Sequence, residues 1–330
     1  MPSSFRRLET AVGELSGPAE SPVVVSALTW EAEGVVAVTL RGTDAAVLPS
    51  WSPGAHVDLI LPNGARRQYS LCGDPADDRT YRVAVDRVVD TRGGSEYVHL
   101  FLRPGQRLRV GVPRNHFALD PSERSWLFLA GGIGITPFLP ILGQAEAAGI
   151  PWQLHYAGRT RSRMAFADLI AAKPGRATVY ETSTGSRPDL PALVAACPPG
   201  SGVYVCGPER LLDASEQLVS ARPDLTLHAE RFRPRTKELP APRPFTLTTR
   251  RSGLTISVPA ERSPLQVLES HGVRIPSGCR TGLCGACEIA VLAGEVEHRD
   301  DVLTGAQRAT GRIMLPCVSR AQGETLVVDV

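Results

Sequence analysis

Four cysteines in the last quarter of the chain stand at a spacing that could do redox chemistry. Cys279, Cys284, Cys287 and Cys317 read Cys-x4-Cys-x2-Cys, then 29 residues, then Cys. That unequal spacing holds a [2Fe–2S] cluster through four thiolates. Three glycines in the same loop, Gly278, Gly282 and Gly285, would let the backbone curl and turn its amides toward the sulfurs. Structural zinc prefers C-x2-C pairs, often with histidine. A Rieske centre replaces two cysteines with histidines, and the chain has no Cys-x-His pair. Buried or disulfide cysteines would not require the spacing. A cluster of this kind carries electrons singly, so the rest of the chain should contain their source.

Nicotinamide delivers two electrons as a hydride, and a flavin can divide such a pair. Two groups of residues could serve these cofactors. In the first, Arg67, Tyr69 and Ser70 lie close in sequence, followed by Ala84-Val85-Asp86 and then Arg92-Gly93-Gly94-Ser95. An arginine can pair with a phosphate, a tyrosine can pack along a ring, and Ser70 could hydrogen-bond a flavin N5 edge. Gly-Gly-Ser at the start of a helix offers amides and a hydroxyl to a phosphate. In the second group, Gly131-Gly132-Ile133-Gly134-Ile135-Thr136-Pro137 follows an apolar run and precedes a helix-like one. Glycines there would admit a pyrophosphate, although GGxGxxP is not the GxGxxG fingerprint. Cys206-Gly207-Pro208 is a second glycine turn after a strand-like run, and two such turns favour a ligand crevice.

These residues need elements to position them. Residues 1–20 read as a flexible tail. From 21 to 120 short alternating runs such as VVAVTL and YRVAVDRVV are broken by Gly and Pro, with a hairpin signal at Asn63-Gly64. This predicts an antiparallel β-barrel. From 121 to 232 strand-like runs (WLFLA, WQLHYA, TVYE, GVYVCG) alternate with helix-like ones, which predicts an α/β doubly wound parallel sheet. Residues 233–241 read as a proline-rich, charged linker. From 242 to 330, two alternating runs and a helix precede the cysteine loop, which fits an α+β β-grasp module.

Composition narrows the class. The 330 residues are 42% hydrophobic with a net charge of +2, and no basic run is interleaved with aromatics, which argues against a nucleic-acid surface. Seven cysteines, four at ligand spacing, point to a reducing compartment. The N-terminus lacks an apolar signal core. The apolar stretch 126–142 is interrupted by glycines and prolines and does not read as membrane-spanning. A cytoplasmic protein is expected. Residues 242–330 carry ten arginines, no lysine and nine acids; Glu295, Glu297, Asp300 and Asp301 form a local acidic group that could face a basic acceptor, though a solvated loop is the plainer reading.

With these motifs in this order, the chain resembles the phthalate dioxygenase reductase family, in which vanillate O-demethylase reductases also fall. The resemblance covers roughly residues 22–330. It implies a ferredoxin-reductase-type FMN barrel, an NAD-binding domain and a C-terminal plant-type ferredoxin domain. By motif, Arg67, Tyr69, Ser70, Ala84, Asp86, Gly94 and Ser95 would hold FMN, with Thr136 touching it from the nucleotide turn. Phe232, in Glu230-Arg231-Phe232, would cover the flavin until nicotinamide displaces it, and Cys206 would lie near the nicotinamide C4. NADH is the expected donor. NADPH stays open, because the expected acidic pair is shifted or missing in Tyr180–Arg187, and Arg159, Arg161 and Arg163 could meet a 2′-phosphate. Asp86 stands where relatives commonly have lysine. The implied activity is electron transfer from NAD(P)H through FMN and the cluster to a terminal Rieske-type oxygenase or demethylase. A cytochrome P450 acceptor and a non-catalytic redox sensor remain alternatives, and the resemblance suggests a monomer.

Overall fold

The computed structural model describes residues 20–88, 93–236 and 238–330. Its first sheet contains β1 (Glu20–Ala32), β2 (Val35–Gly42), β3 (Ala55–Ile60), β4 (Arg66–Ser70), β5 (Thr80–Asp86), β6 (Arg107–Gly111) and β7 (Arg114–Asn115). The order is β4-β3-β6-β1-β2-β5, with β7 on β3, and all pairings are antiparallel. A bridge between Leu71 and Val83 joins the two ends, so the sheet closes into a barrel. Alternating branched aliphatic residues on these strands fill its interior, with Val38, Leu40, Val57, Leu59, Val83 and Val110 among others. Glu20, assigned to the tail from sequence, instead opens β1, and its carboxylate accepts from Arg66 and pairs with Arg109. The rest of the expected tail lies outside the described residues.

The second sheet is parallel. It contains β8 (Trp126–Gly131), β9 (Trp152–Gly158), β10 (Ala177–Glu181), β11 (Gly202–Cys206) and β12 (Thr226–Glu230), in the order β10-β9-β8-β11-β12. Numbered within the sheet this is 3-2-1-4-5, a doubly wound order that reverses direction between β8 and β11. Helix α1 (Gly94–Leu100) follows β5, and α2 (Phe138–Ala148), α3 (Ala167–Ala171), α4 (Leu190–Ala195) and α5 (Glu209–Ser220) connect the parallel strands. On α5 the residues turned inward are Leu212, Ser215 and Val219, at helical spacing. The stretch 126–142 splits into β8, a tight turn and part of α2. Among the described residues no helix is long and apolar enough to cross a membrane.

The third sheet contains β13 (Phe245–Thr249), β14 (Thr255–Val258), β15 (Ile289–Ala293), β17 (Ile313–Met314) and β19 (Thr325–Val328), ordered β14-β13-β19-β15-β17; β16 (Val296–Glu297) pairs with β18 (Arg320–Ala321). β13 and β19 are parallel while the other pairs are antiparallel, the mixed pattern of a β-grasp. Helix α6 (Pro264–Ser270) begins with a capping box between Ser263 and Gln266 and has proline at its first turn; α7 (Gly305–Ala309) has a similar box at Thr304. The unit has its own core around Leu247, Leu268, Met314 and Leu326.

The seams between the units differ. Ala32, Val35, Ala37 and Ala84 of the barrel join Phe128 and Tyr156 of the parallel sheet and Phe138 of α2 in one continuous core. The C-terminal unit meets the other two largely through polar contacts. Arg235 donates its backbone N–H to Asp301 at 2.9 Å and pairs with Glu216 on α5 at 2.8 Å. Asp301 in turn donates its backbone N–H to the Gly282 carbonyl at 2.9 Å.

Candidate redox site

The four cysteines fall into two pairs. The Cys279 amide points at the Cys284 sulfur at 3.4 Å, and the amides of Thr281 and Leu283 point at Cys279 Sγ at 3.3 and 3.4 Å. The amide of Ala286 reaches Cys284 Sγ at 3.5 Å. Hydrogen bonding from Cys284, with help from the loop amides, favours the thiolate of Cys279. The second pair behaves alike: Cys317 lowers Cys287. Among the described residues no three His, Cys, Asp or Glu side chains converge as they would on one metal ion. Two thiol pairs, with amides aimed at sulfur, fit a two-iron cluster with two ligands per iron. Gly282 and Gly285 adopt φ of +76° and +66°, the curl expected of them. Gly278 has another purpose: a Cβ there would sit 2.9 Å from Asp58 Oδ2 and 3.2 Å from Cys284 Sγ.

Beside this loop lies a cleft. It is lined by His56, Gln68, Tyr69 and Ser70 of the barrel, by Glu230 at the end of β12 and Phe232 just beyond it, and by Leu283, Asp301 and Val302 of the C-terminal unit. Leu283 stands between two cluster ligands in sequence, so the cleft abuts the cluster loop directly. His56 Nε2 is buried without a hydrogen-bond partner among the described residues, and Ser70 Oγ is buried with the Glu230 carboxyl beside it. Buried polar atoms of this kind in one cleft are what a ring bearing donors and acceptors would satisfy. Burial pushes the Tyr69 hydroxyl up to about 12. Arg67 crosses the start of α1: a Cβ on Gly94 would lie 2.5 Å from its Cγ. Gly93 caps that helix at φ +76°, and Ser95 is buried with Oγ 3.5 Å from the Val88 carbonyl. These pieces bring a guanidinium and a Gly-Gly-Ser turn together, which suits a flavin phosphate. Arg92 lies outside the described residues.

Other expected flavin residues have different surroundings. Ala84 is packed in the shared core and Val85 in the barrel interior. Only their backbones are available to a ligand, and the Val85 carbonyl already faces His99 Nε2 at 2.9 Å. Burial raises the Asp86 carboxyl, and Arg163, His99 and Arg233 offset that rise. Asp86 therefore sits close to the Arg163 and Arg233 guanidiniums. Thr136 is buried, donates to the Ile133 carbonyl at 3.0 Å, and does not line the cleft.

The glycine turns meet at the reversal point of the parallel sheet. Cys206 is in register with Ala130 on one side and Glu230 on the other. A Cβ on Gly134 would lie 2.3 Å from the Cys206 carbonyl oxygen, one on Gly207 would lie 2.9 Å from Gly131 Cα, and one on Gly131 would lie 2.5 Å from Pro208 Cδ. The two turns are packed backbone to backbone, and Gly132 adopts φ +55°. Pro137 and Pro208 cap α2 and α5. Cys206 is fully buried with Sγ 3.8 Å from Glu230 Oε2. Burial pushes the Glu230 carboxyl up to about 8, a rise tempered by Cys206 and Ser70, and it pushes the Cys206 thiol well up. His56 Nδ1 stands 3.9 Å from Glu230; burial first, then Arg114, lowers that imidazole to about 3. Arg159 is exposed just after β9, beside Glu181 at the end of β10.

Sequence reasoning missed His56, His116, Asp58 and Arg114. The signal for His56 was register, since β3 pairs with β4 so that His56 faces Ser70. Three of the four residues of the acidic group near the cluster form ion pairs. Glu297 pairs with Arg299 at 2.6 Å, buried Asp300 with Arg308 at 3.3 Å, and Asp301 with Arg235 at 3.5 Å.

The barrel cleft, the glycine crevice and the cysteine loop together define a pyridine-nucleotide-dependent flavin and iron–sulfur oxidoreductase. Comparison with known proteins agrees. Residues 247–322 match the 2Fe-2S iron-sulfur cluster binding domain. The chain is 40% identical over 317 residues to the carnitine monooxygenase reductase subunit of Escherichia coli (strain K12), covering 93% of this chain and 98% of that one. It is 37% identical to the phthalate 4,5-dioxygenase oxygenase reductase subunit of Pseudomonas putida, covering 93% and 95%. Among solved structures, it matches phthalate dioxygenase reductase with a TM-score of 0.68 at 33% identity, covering 94% of this chain and 98% of that one. It also matches an intact type IV self-sufficient cytochrome P450 monooxygenase with a TM-score of 0.88 at 44% identity, covering 94% of this chain but only 41% of that one. The chain belongs to the family of oxygenase reductase subunits that includes phthalate dioxygenase reductase. It is an electron-transfer reductase that moves electrons from NAD(P)H through a flavin to a [2Fe–2S] cluster.

Proposed function

We propose that this reductase uses FMN and NADH and passes single electrons to a terminal oxygenase or demethylase of the Rieske type. The observation that carries the reading is the single cleft in which the strand-end residues Ser70 and Glu230 face Leu283 of the cluster loop. Bound flavin supplies the conversion of a hydride's electron pair into single electrons. The chain's residues bind and orient. Arg67, Gly94 and Ser95 take the phosphate, Tyr69 covers the ring, and Ser70 donates to its N5 edge. Cys206 and the buried Glu230, whose carboxyl burial holds toward its neutral form, pack where the nicotinamide enters, and Phe232, 42% exposed at the cleft mouth, moves aside for it. The backbones of Gly131, Gly134 and Gly207, with Pro208, admit the pyrophosphate. Glu181 on the same sheet edge accepts ribose hydroxyls and repels a 2′-phosphate, while exposed Arg159 beside it makes NADPH the alternative. None of the seven cysteines is in a disulfide, which suits work in a reducing cytoplasm.

A second reading replaces the acceptor with a cytochrome P450. The 44% identity to a P450-fused reductase favours it. An anaerobic titration with NADH, then NADPH, followed by absorbance and low-temperature EPR, tests the shared core of both readings. Flavin bleaching with a rhombic [2Fe–2S] signal is expected, faster with NADH. Flavin bleaching without a cluster signal would reduce the protein to a flavin oxidoreductase. Reconstitution with a Rieske oxygenase and with a P450 then separates the acceptors.

A further inference from the structure

The barrel grips the cluster loop through a buried carboxylate. Asp58 on β3 is 1% exposed and lies between two guanidiniums, Arg66 Nη1 at 3.4 Å and Arg114 Nη2 at 3.0 Å. Gln68 donates to its Oδ1 at 3.0 Å. With one end fixed on Asp58, Arg114 donates from Nε to the Cys284 carbonyl at 3.1 Å, 170 residues further along the chain. Two glycines of the loop provide the clearance. Gly278 leaves room for Asp58, and Gly285 leaves room for His116, whose Nε2 would lie 2.5 Å from a Cβ there. Neither approach is needed to bind iron; both are needed to bring the loop this close to the barrel.

We propose that Arg114 is a positioning residue for cluster reduction: anchored on Asp58, it holds the Cys284 turn against the flavin cleft. The inference rests on the flavin-to-cluster reading above. A surface ion pair would have little leverage on domain position. Here Asp58 is desolvated, so its partners are held strongly, and removing one leaves charge poorly compensated. Arginine suits the site because its delocalised charge pairs with the Asp58 carboxylate at 3.0 Å, without hydrogen-bond alignment at Nη2, while Nε donates to the Cys284 carbonyl.

The test uses full-length protein loaded with flavin and iron, as Arg114→Ala and Arg114→Lys. Mixing with NADH in an anaerobic stopped-flow instrument should show flavin reduction unchanged and cluster reduction slowed about tenfold or more in the alanine variant. Hydrogen exchange across residues 278–287 in the oxidised protein should rise, and lysine should restore only part of both properties. Should Arg114→Ala lose flavin or iron, Asp58→Asn takes its place, since it frees the guanidinium with little change of shape. Unchanged cluster reduction together with unchanged exchange, in whichever variant is loaded normally, overturns the proposal. The two failures separate. A parent protein whose cluster NADH cannot reduce sinks the functional reading, whereas the exchange readout needs no turnover and still decides on Arg114.

Discussion

Glu230 shows what burial does at the scale of one residue. Its carboxyl stands near 8 in the fold against 4.5 when exposed, chiefly through desolvation. The sign follows from linkage. Between those values the unfolded chain releases a proton that the folded chain keeps, so stability falls as pH rises through that window. His56 acts at the other end, because an imidazole lowered to about 3 costs stability as pH falls below 6.5. Glu230→Gln should flatten the alkaline side of the melting-temperature profile, removing a loss on the order of a few kcal/mol between pH 5 and 8. Thermal melts across that range check it; an unchanged slope would mean that Glu230 is ionised in the fold.

At the scale of elements, the tightest constraint is where the turns after β8 and β11 touch. Gly134→Ala would drive a methyl against the Cys206 carbonyl, 2.3 Å from its built position. Backbone cannot yield as a side-chain tip can, so a loss of about 1–3 kcal/mol or more is expected. The Kd for NADH should rise while flavin content holds, as read by thermal melts and nucleotide titration. These turns were legible in the sequence because glycines follow apolar runs. So were most strands, since alternation survives wherever one face is buried. The cluster was the clearest feature, because three ligands lie within nine residues and spacing encodes their geometry. The residues that join the units were not legible. The Asn63-Gly64 signal located a hairpin, yet its three-residue loop, closed by Leu61 N–H to Ala65 O at 2.9 Å, fixes a register that a two-residue turn would shift. Without that register His56 and Asp58 cannot be placed opposite Ser70 and Gln68. Arg114 sits on a strand of two residues, too short for any periodicity.

For the whole molecule, the order of units predicts which losses are separable. Cys317→Ser removes one iron ligand from the C-terminal core while leaving the barrel and the parallel sheet intact. Flavin reduction by NADH should persist, and the EPR signal and oxygenase-coupled turnover should disappear. A simultaneous loss of bound flavin would show that the units do not fold independently. The two seams also carry different costs of separation. Parting the barrel from the parallel sheet exposes Ala84, Phe128 and Phe138, whereas parting the C-terminal unit breaks a short set of charged and backbone contacts at Arg114, Arg235 and Asp301. Gene rearrangement that moves or exchanges the C-terminal unit therefore has few positions to preserve. A break between the first two units would expose their shared core on both halves, so recombination should favour the linker over the boundary near residue 120.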